Sequence, residues 1–153
     1  FEVKNITETE LSIKQTLRYN NVDKLKDILY SFFASIPHDW YRKNDLEDYE
    51  GFYASVVYAL FNGAGLEARA EDTTNKGSID LTITYQDRVY IIEFKVVEDE
   101  PKDKALSQIK EKRYYEKYNT FKEIYLIGIE FSKKEKNIVE FKWERMQVGV
   151  NLS

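Results

Sequence analysis

Between Thr7 and Ile36, Leu11, Leu17, Val22, Leu25, Ile28, Leu29, Phe32 and Phe33 fall near a period of about 3.6 residues. This spacing predicts a helical lead-in, with Asn20 or Asn21 placed to cap between two helices. After a loop from Pro37 to Asp45, Phe52, Val56, Ala59 and Leu60 share one stripe of a third helix over 47–62, which Gly63 and Gly65 end. The period then drops to two. Leu66, Ala68 and Ala70 alternate with Glu67, Arg69 and Glu71, followed by a polar loop from Asp72 to Ser78. Ile79–Tyr85 and Val89–Val97 are rich in β-branched and aromatic residues, with Gln86 and Asp87 where a short hairpin turn belongs. A helix is expected from Lys102 to Tyr118, an apolar strand from Tyr125 to Phe131, and a weaker strand from Ile138 to Trp143. The predicted order is helix, three strands, helix, two strands, which implies an α/β fold with a mixed central sheet and helices packed on it.

Composition narrows the chemistry. The 153 residues, 42% apolar and 15% aromatic, suit one compact core. With no cysteine and one histidine, disulfide frameworks, thiolate metal sites and sites needing two imidazoles are excluded. His38 lies between Pro37 and Asp39 and reads as a loop or capping residue. No apolar run reaches the roughly 20 residues of a membrane span, and Phe1–Lys4 has no signal pattern, so a soluble cytoplasmic protein with no membrane partner is expected. The chain begins without methionine, consistent with a processed form or a piece of a longer polypeptide. The net charge of -4 argues against coating nucleic acid by bulk electrostatics. Locally, however, Lys102, Lys104, Lys110, Lys112, Arg113 and Lys117 outweigh Asp103, Glu111 and Glu116, whereas 39–50 is acidic.

The informative stretch is Gly77-Ser78-Ile79-Asp80 followed by Glu93-Phe94-Lys95. A hairpin closing symmetrically over Gln86 and Asp87 sets Asp80 opposite Glu93 and Ser78 opposite Lys95, with Asp80, Glu93 and Lys95 on one face. Facing carboxylates in apolar strands repel unless a cation or shared proton compensates. Mg²⁺, or Mn²⁺, held by such oxygens would activate water for phosphodiester hydrolysis, with Lys95 stabilising the developing charge or placing the nucleophile. The bland reading is a cross-strand salt-bridge cluster on a solvent face. A three-residue turn would move the register by one and separate the acids.

Asp80 with Glu93-x-Lys95 in the strand Ile91–Val96 resembles the D…ExK core of the PD-(D/E)xK nuclease superfamily, although Ile79 stands where the superfamily's name has proline. Tyr49–Tyr53, Gly77–Leu81, Val89–Lys95 and Ala105–Tyr114 resemble, in that order, the branch found at the carboxyl end of bacterial AAA-ATPase-like proteins. The resemblance covers about residues 36–143 and implies a restriction-endonuclease-like core. It implies Asp80, Glu93 and Lys95 as catalytic residues, Asp80, Glu93 and Glu50 as metal ligands, and Gln108 with Tyr114 as substrate-orienting residues. On a continuous helix Tyr115 shares a face with Gln108 more closely than Tyr114 does. Lys110, Lys112 and Arg113 are candidates for phosphate contacts. The expectation is therefore a helical segment, 1–36, before a nuclease-like domain, 37–153, that hydrolyses DNA. Expected partners are nucleic acid, an ATPase domain of the same longer chain and a second copy in a homodimer. The alternatives are an inactive nucleic-acid-binding fold and a protein-interaction module serving an attached ATPase.

Overall fold

The computed structural model describes residues 3–37 and 50–147; the expectations for His38, the acids of 39–48 and most of the loop after Pro37 lie outside them. Helices α1 (Val3–Arg18) and α2 (Val22–Ala34) form the lead-in. Between them Asn20 adopts φ 54, a conformation asparagine tolerates better than most residues. Neither asparagine caps through its side chain as expected. Asn21 holds the N-cap position of α2 without a side-chain bond, and the Asn20 amide is drawn to the sheet. Its Nδ2 donates to the Tyr125 hydroxyl and its Oδ1 accepts from the Tyr90 hydroxyl, both at 2.6 Å.

Helix α3 (Glu50–Gly63) ends at Gly65, whose φ of 81 allows the Gly65 N–H to reach Asn62 O and the Leu66 N–H to reach Phe61 O. Strand β1 (Glu67–Thr74) runs farther than the alternation suggested, and the expected loop from Asp72 narrows to the turn Asn75–Lys76 before β2 (Gly77–Tyr85). Strand β3 (Arg88–Val97) follows the predicted two-residue turn. The next helix differs from expectation. Helix α4 covers only Ala105–Lys112, because Arg113 turns left-handed (φ 51, ψ 42) and passes the chain into a 3₁₀ turn, Tyr114–Tyr118. Its start is fixed by buried Glu130, which accepts the backbone N–H groups of Lys102, Lys104 and Ala105 at 2.6, 2.5 and 3.2 Å. Strands β4 (Glu123–Ser132) and β5 (Asn137–Gln147) complete the order.

The five strands lie in sequence order in one sheet, with β3 and β4 parallel and the other neighbours antiparallel. This is the expected mixed sheet of a restriction-endonuclease-like α/β fold. Along β3, Tyr90, Ile92 and Phe94 enter a core shared with α1, α2 and α3, whereas Val89 and Ile91 enter a second core under α4 and the 3₁₀ turn. Both faces of the central strands are therefore covered, which explains their near-continuous apolar sequence. The lead-in contributes Leu17, Leu25, Leu29 and Phe33 to the larger core. Among the described residues no helix is long and apolar enough to cross a membrane.

Candidate active site

The β2–β3 hairpin has the register expected from its turn, from Tyr85↔Arg88 to Leu81↔Ile92, and then pairing stops before Asp80. On the other side of β2, Ala70↔Leu81 and Asp72↔Ile79 pair but the step between them is skipped, and Glu71 there has φ 50. Leu81 and Ile83 face the larger core, yet Ile79 faces the smaller one. Residues two apart on a regular strand share a face, so β2 rolls over at Asp80, opposite Glu71, with the β1–β2 register unchanged on either side. The expected oppositions of Asp80 to Glu93 and of Ser78 to Lys95 lie beyond the last β2–β3 pair and are not formed as strand pairs, because β2 turns away there; the Asp80 side chain still meets that of Glu93. Two carboxylates take the backbone donors this departure frees on β3. Asp80 Oδ2 accepts from the Phe94 N–H at 2.9 Å, and Glu50 Oε1 from the Val96 N–H at 3.2 Å.

Glu93 lies beside Asp80 with only 1% of its surface exposed, and its Oε1 has no hydrogen-bond partner. Burial first, then the hydrogen bond and negative charge of Asp80, push its carboxyl up to about 10, against the pull of Lys95. Lys95 is half-buried two residues on. Glu93 is paired with Gly128 on β4. A Cβ on Gly128 would fall on the Leu106 backbone nitrogen, so this glycine lets α4 press against the sheet beside Glu93. A glycine inside an apolar strand was the sequence signal for that approach.

The close approach delivers Gln108 and Tyr114. Burial raises the pKa of the Tyr114 hydroxyl, which is hydrogen-bonded to Gln108, and the charges of Glu93 and Asp80 raise it further. Tyr114 is buried and Tyr115 only half-buried. The preference for Tyr115 assumed a helix continuous through Arg113, and the left-handed break there removes that assumption. Lys110 is turned toward β5, where it meets Glu144 at 3.1 Å. Lys112 is exposed, and Arg113 is exposed with Glu116 at 4.0 Å.

A model of the PD-(D/E)XK nuclease superfamily matches residues 48–141. The chain belongs to this superfamily. It is also 47% identical over 128 residues to an uncharacterized protein in the vnfD 5' region of Azotobacter chroococcum mcd 1, an overlap covering 83% of this chain and 25% of that protein. The chain thus corresponds to about a quarter of that relative's length. No solved structure matches the chain.

Nucleases of the PD-(D/E)XK superfamily generally use divalent metal ions, and the residues here fit one. A buried carboxylate with an unpartnered oxygen, beside a second carboxylate, is a hard-oxygen donor set of the kind that suits a divalent cation. Among the described residues no three carboxylate or imidazole groups gather at metal-holding geometry, so Glu50 stands beside the pair without joining it. Glu50, Glu71 and Asp80 line a cavity of about 420 Å³ between α3 and the β1–β2 strands. The sequence alternation treated Glu71 as an ordinary outward residue; the β1–β2 register sets it across from Asp80, and its positive φ leaves no trace in local composition.

Proposed function

We propose that this PD-(D/E)XK domain hydrolyses DNA phosphodiester bonds with Mg²⁺ or Mn²⁺ held by Asp80 and Glu93. The observation that carries the reading is the buried Glu93 carboxyl with its unpartnered Oε1 beside Asp80. When bound, the metal would supply a polarised phosphoryl oxygen and a more acidic water. The chain's own groups do the rest. Lys95 offers an ammonium to the charge developing on the phosphate. Tyr114, held by Gln108, orients substrate or Lys95. Glu50 fixes the β3 backbone at Val96 and thereby the spacing of the carboxylates. Lys112 and Arg113 contact phosphates beside the site, and Lys110 joins them on leaving Glu144.

The relative that extends well beyond this chain supports a domain working within a larger polypeptide; the ordered blocks around Glu50, Asp80, Glu93 and Gln108 favour an ATPase-type domain as its companion. Single- and double-stranded DNA and RNA incubated with Mg²⁺, Mn²⁺ or EDTA test the activity. DNA cleavage is expected with metal, none in EDTA, and a loss on the order of 10²-fold or more in Lys95→Ala. Cleavage that persists in EDTA, or is unchanged in Lys95→Ala, would overturn the mechanism.

A further inference from the structure

Beyond the point where β2 leaves β3, β1 and β2 continue paired with each other through Asp72↔Ile79, Thr73↔Ser78 and Thr74↔Gly77, with no partner on the β3 side. A two-stranded ribbon therefore projects from the carboxylate pair. We propose that its tip, residues 73–78, reads double-stranded DNA by entering the major groove next to the scissile phosphate. This inference rests on the reading of Asp80 and Glu93 as a DNA-hydrolysing site and names the form of its substrate.

Three sets of observations converge on the ribbon. The first is surface chemistry. Thr73, Asn75, Lys76 and Ser78 are exposed, and residues 73–78 contain no carboxylate in a chain of net charge -4. The cavity beside Asp80, by contrast, is lined by Glu50 and Glu71. Hydroxyl and amide groups hydrogen-bond to base edges, and lysine contacts phosphate or guanine. Asp72, at the ribbon's base, is buried and bound by Lys117 at 2.5 Å, so it presents no charge outward.

The second is rigidity. The Thr74 hydroxyl donates to Gly77 O at 2.8 Å and accepts from the Lys76 N–H at 3.0 Å, while Lys117 Nζ donates to Thr73 O at 2.8 Å. Gly77, at φ 133, packs under the Tyr114 hydroxyl, which would lie 3.3 Å from a Cβ there. A reader held in one conformation loses less entropy on docking than a mobile loop.

The third is reach. Lys76 is four residues from Asp80 along the strand, about 13 Å at roughly 3.3 Å per residue. That equals about four base-pair steps, and a major groove about 12 Å wide admits a two-stranded ribbon. Lys112 and Arg113, both exposed, immediately precede Tyr114, whose hydroxyl lies at Gly77, and are the bases available for the flanking backbone. The deep, narrow major groove of an RNA duplex excludes such a reader, and a single strand offers no groove.

The test is fluorescence anisotropy in EDTA, where nothing is cut. A labelled DNA duplex of about two turns, its single strand and the matching RNA duplex are titrated with the full chain and with Lys76→Ala, Lys76→Glu and Asn75→Ala. Each variant is checked for an unchanged unfolding curve. The expected result is preference for duplex DNA, a severalfold loss in Lys76→Ala with the salt slope reduced by about one, and a larger loss in Lys76→Glu. Asn75→Ala is expected to reduce discrimination between duplex sequences by about fivefold or more. Unchanged duplex affinity and salt slope in both Lys76 variants would overturn the proposal, as would equal binding of the single strand or RNA duplex. Metal-dependent cleavage by the same variants separates the two readings. Cleavage indifferent to the tip defeats the ribbon alone, whereas tip-dependent binding without cleavage supports the ribbon and defeats hydrolysis.

Discussion

Two buried carboxylates, Asp72 on β1 and Glu93 on β3, have opposite environments. Asp72 is 2% exposed, and burial alone would raise its pKa. Hydrogen bonds from Lys117, Tyr118 and Thr82 and the Lys117 charge outweigh burial and hold it below the ordinary value of 3.8. Glu93 is equally hidden, but its closest charged neighbour is Asp80, one of its oxygens is unpartnered, and its carboxyl is pushed up to about 10. Depth of burial therefore does not by itself decide whether a carboxylate is held charged or protonated. Asp72 is fully partnered and pins the 3₁₀ turn to β1, whereas Glu93 keeps an oxygen without a donor.

That contrast can be broken from either side. The largest effect is expected on activity. Glu93→Gln removes a metal oxygen and is predicted to lower metal-dependent DNA cleavage on the order of 10³-fold, while leaving the apo protein folded. Asp72→Asn is predicted to leave metal binding intact and to destabilise the fold by about 2–3 kcal/mol in urea unfolding, because Lys117 and Tyr118 lose a buried partner. The figure sits at the lower end for a buried pair because Lys117 reaches solvent.

The smallest effect, taken per pH unit, is on the pH dependence of stability, and its two halves have opposite signs. In EDTA, native Glu93 keeps a proton that the unfolded chain releases above about 4.5, so stability should fall as pH rises from about 4.5 toward about 10, by at most about 1.4 kcal/mol per unit. Glu93→Gln should flatten that decline. The Asp72 contribution is present above 3.8 and is lost as pH falls through its depressed native value, so Asp72→Asn should flatten the acid limb. Urea midpoints across pH check both.

The sequence carried the half of this contrast that depends on local pairing. The turn at Gln86–Asp87 set the register, and the register set Asp80 near Glu93, because a two-residue turn leaves one symmetric solution. Asp72 looked like a loop residue, since its partners Lys117 and Tyr118 lie far along the chain and nothing nearby announces that a carboxylate will be buried. The helix over 102–118 was overextended for a similar reason. Its composition suits a helix throughout, but packing of Tyr114 against Gly77 accompanies a left-handed Arg113 that propensity does not foresee. Strand β5 outran its prediction because the adjacent charges Glu144 and Arg145 interrupt the alternation of Val139, Phe141 and Trp143 with Glu140 and Lys142, on an edge strand that is partly solvated.

The most direct measurement is calorimetric titration of Mn²⁺ into the chain near pH 7, in two buffers of different ionisation enthalpy, beside Asp80→Asn and Glu93→Gln. The account predicts one binding event, release of close to one proton to the buffer as the metal takes its place on the Glu93 carboxylate, and loss of that event in both variants. Absence of Mn²⁺ binding, or binding that survives both substitutions, would contradict it.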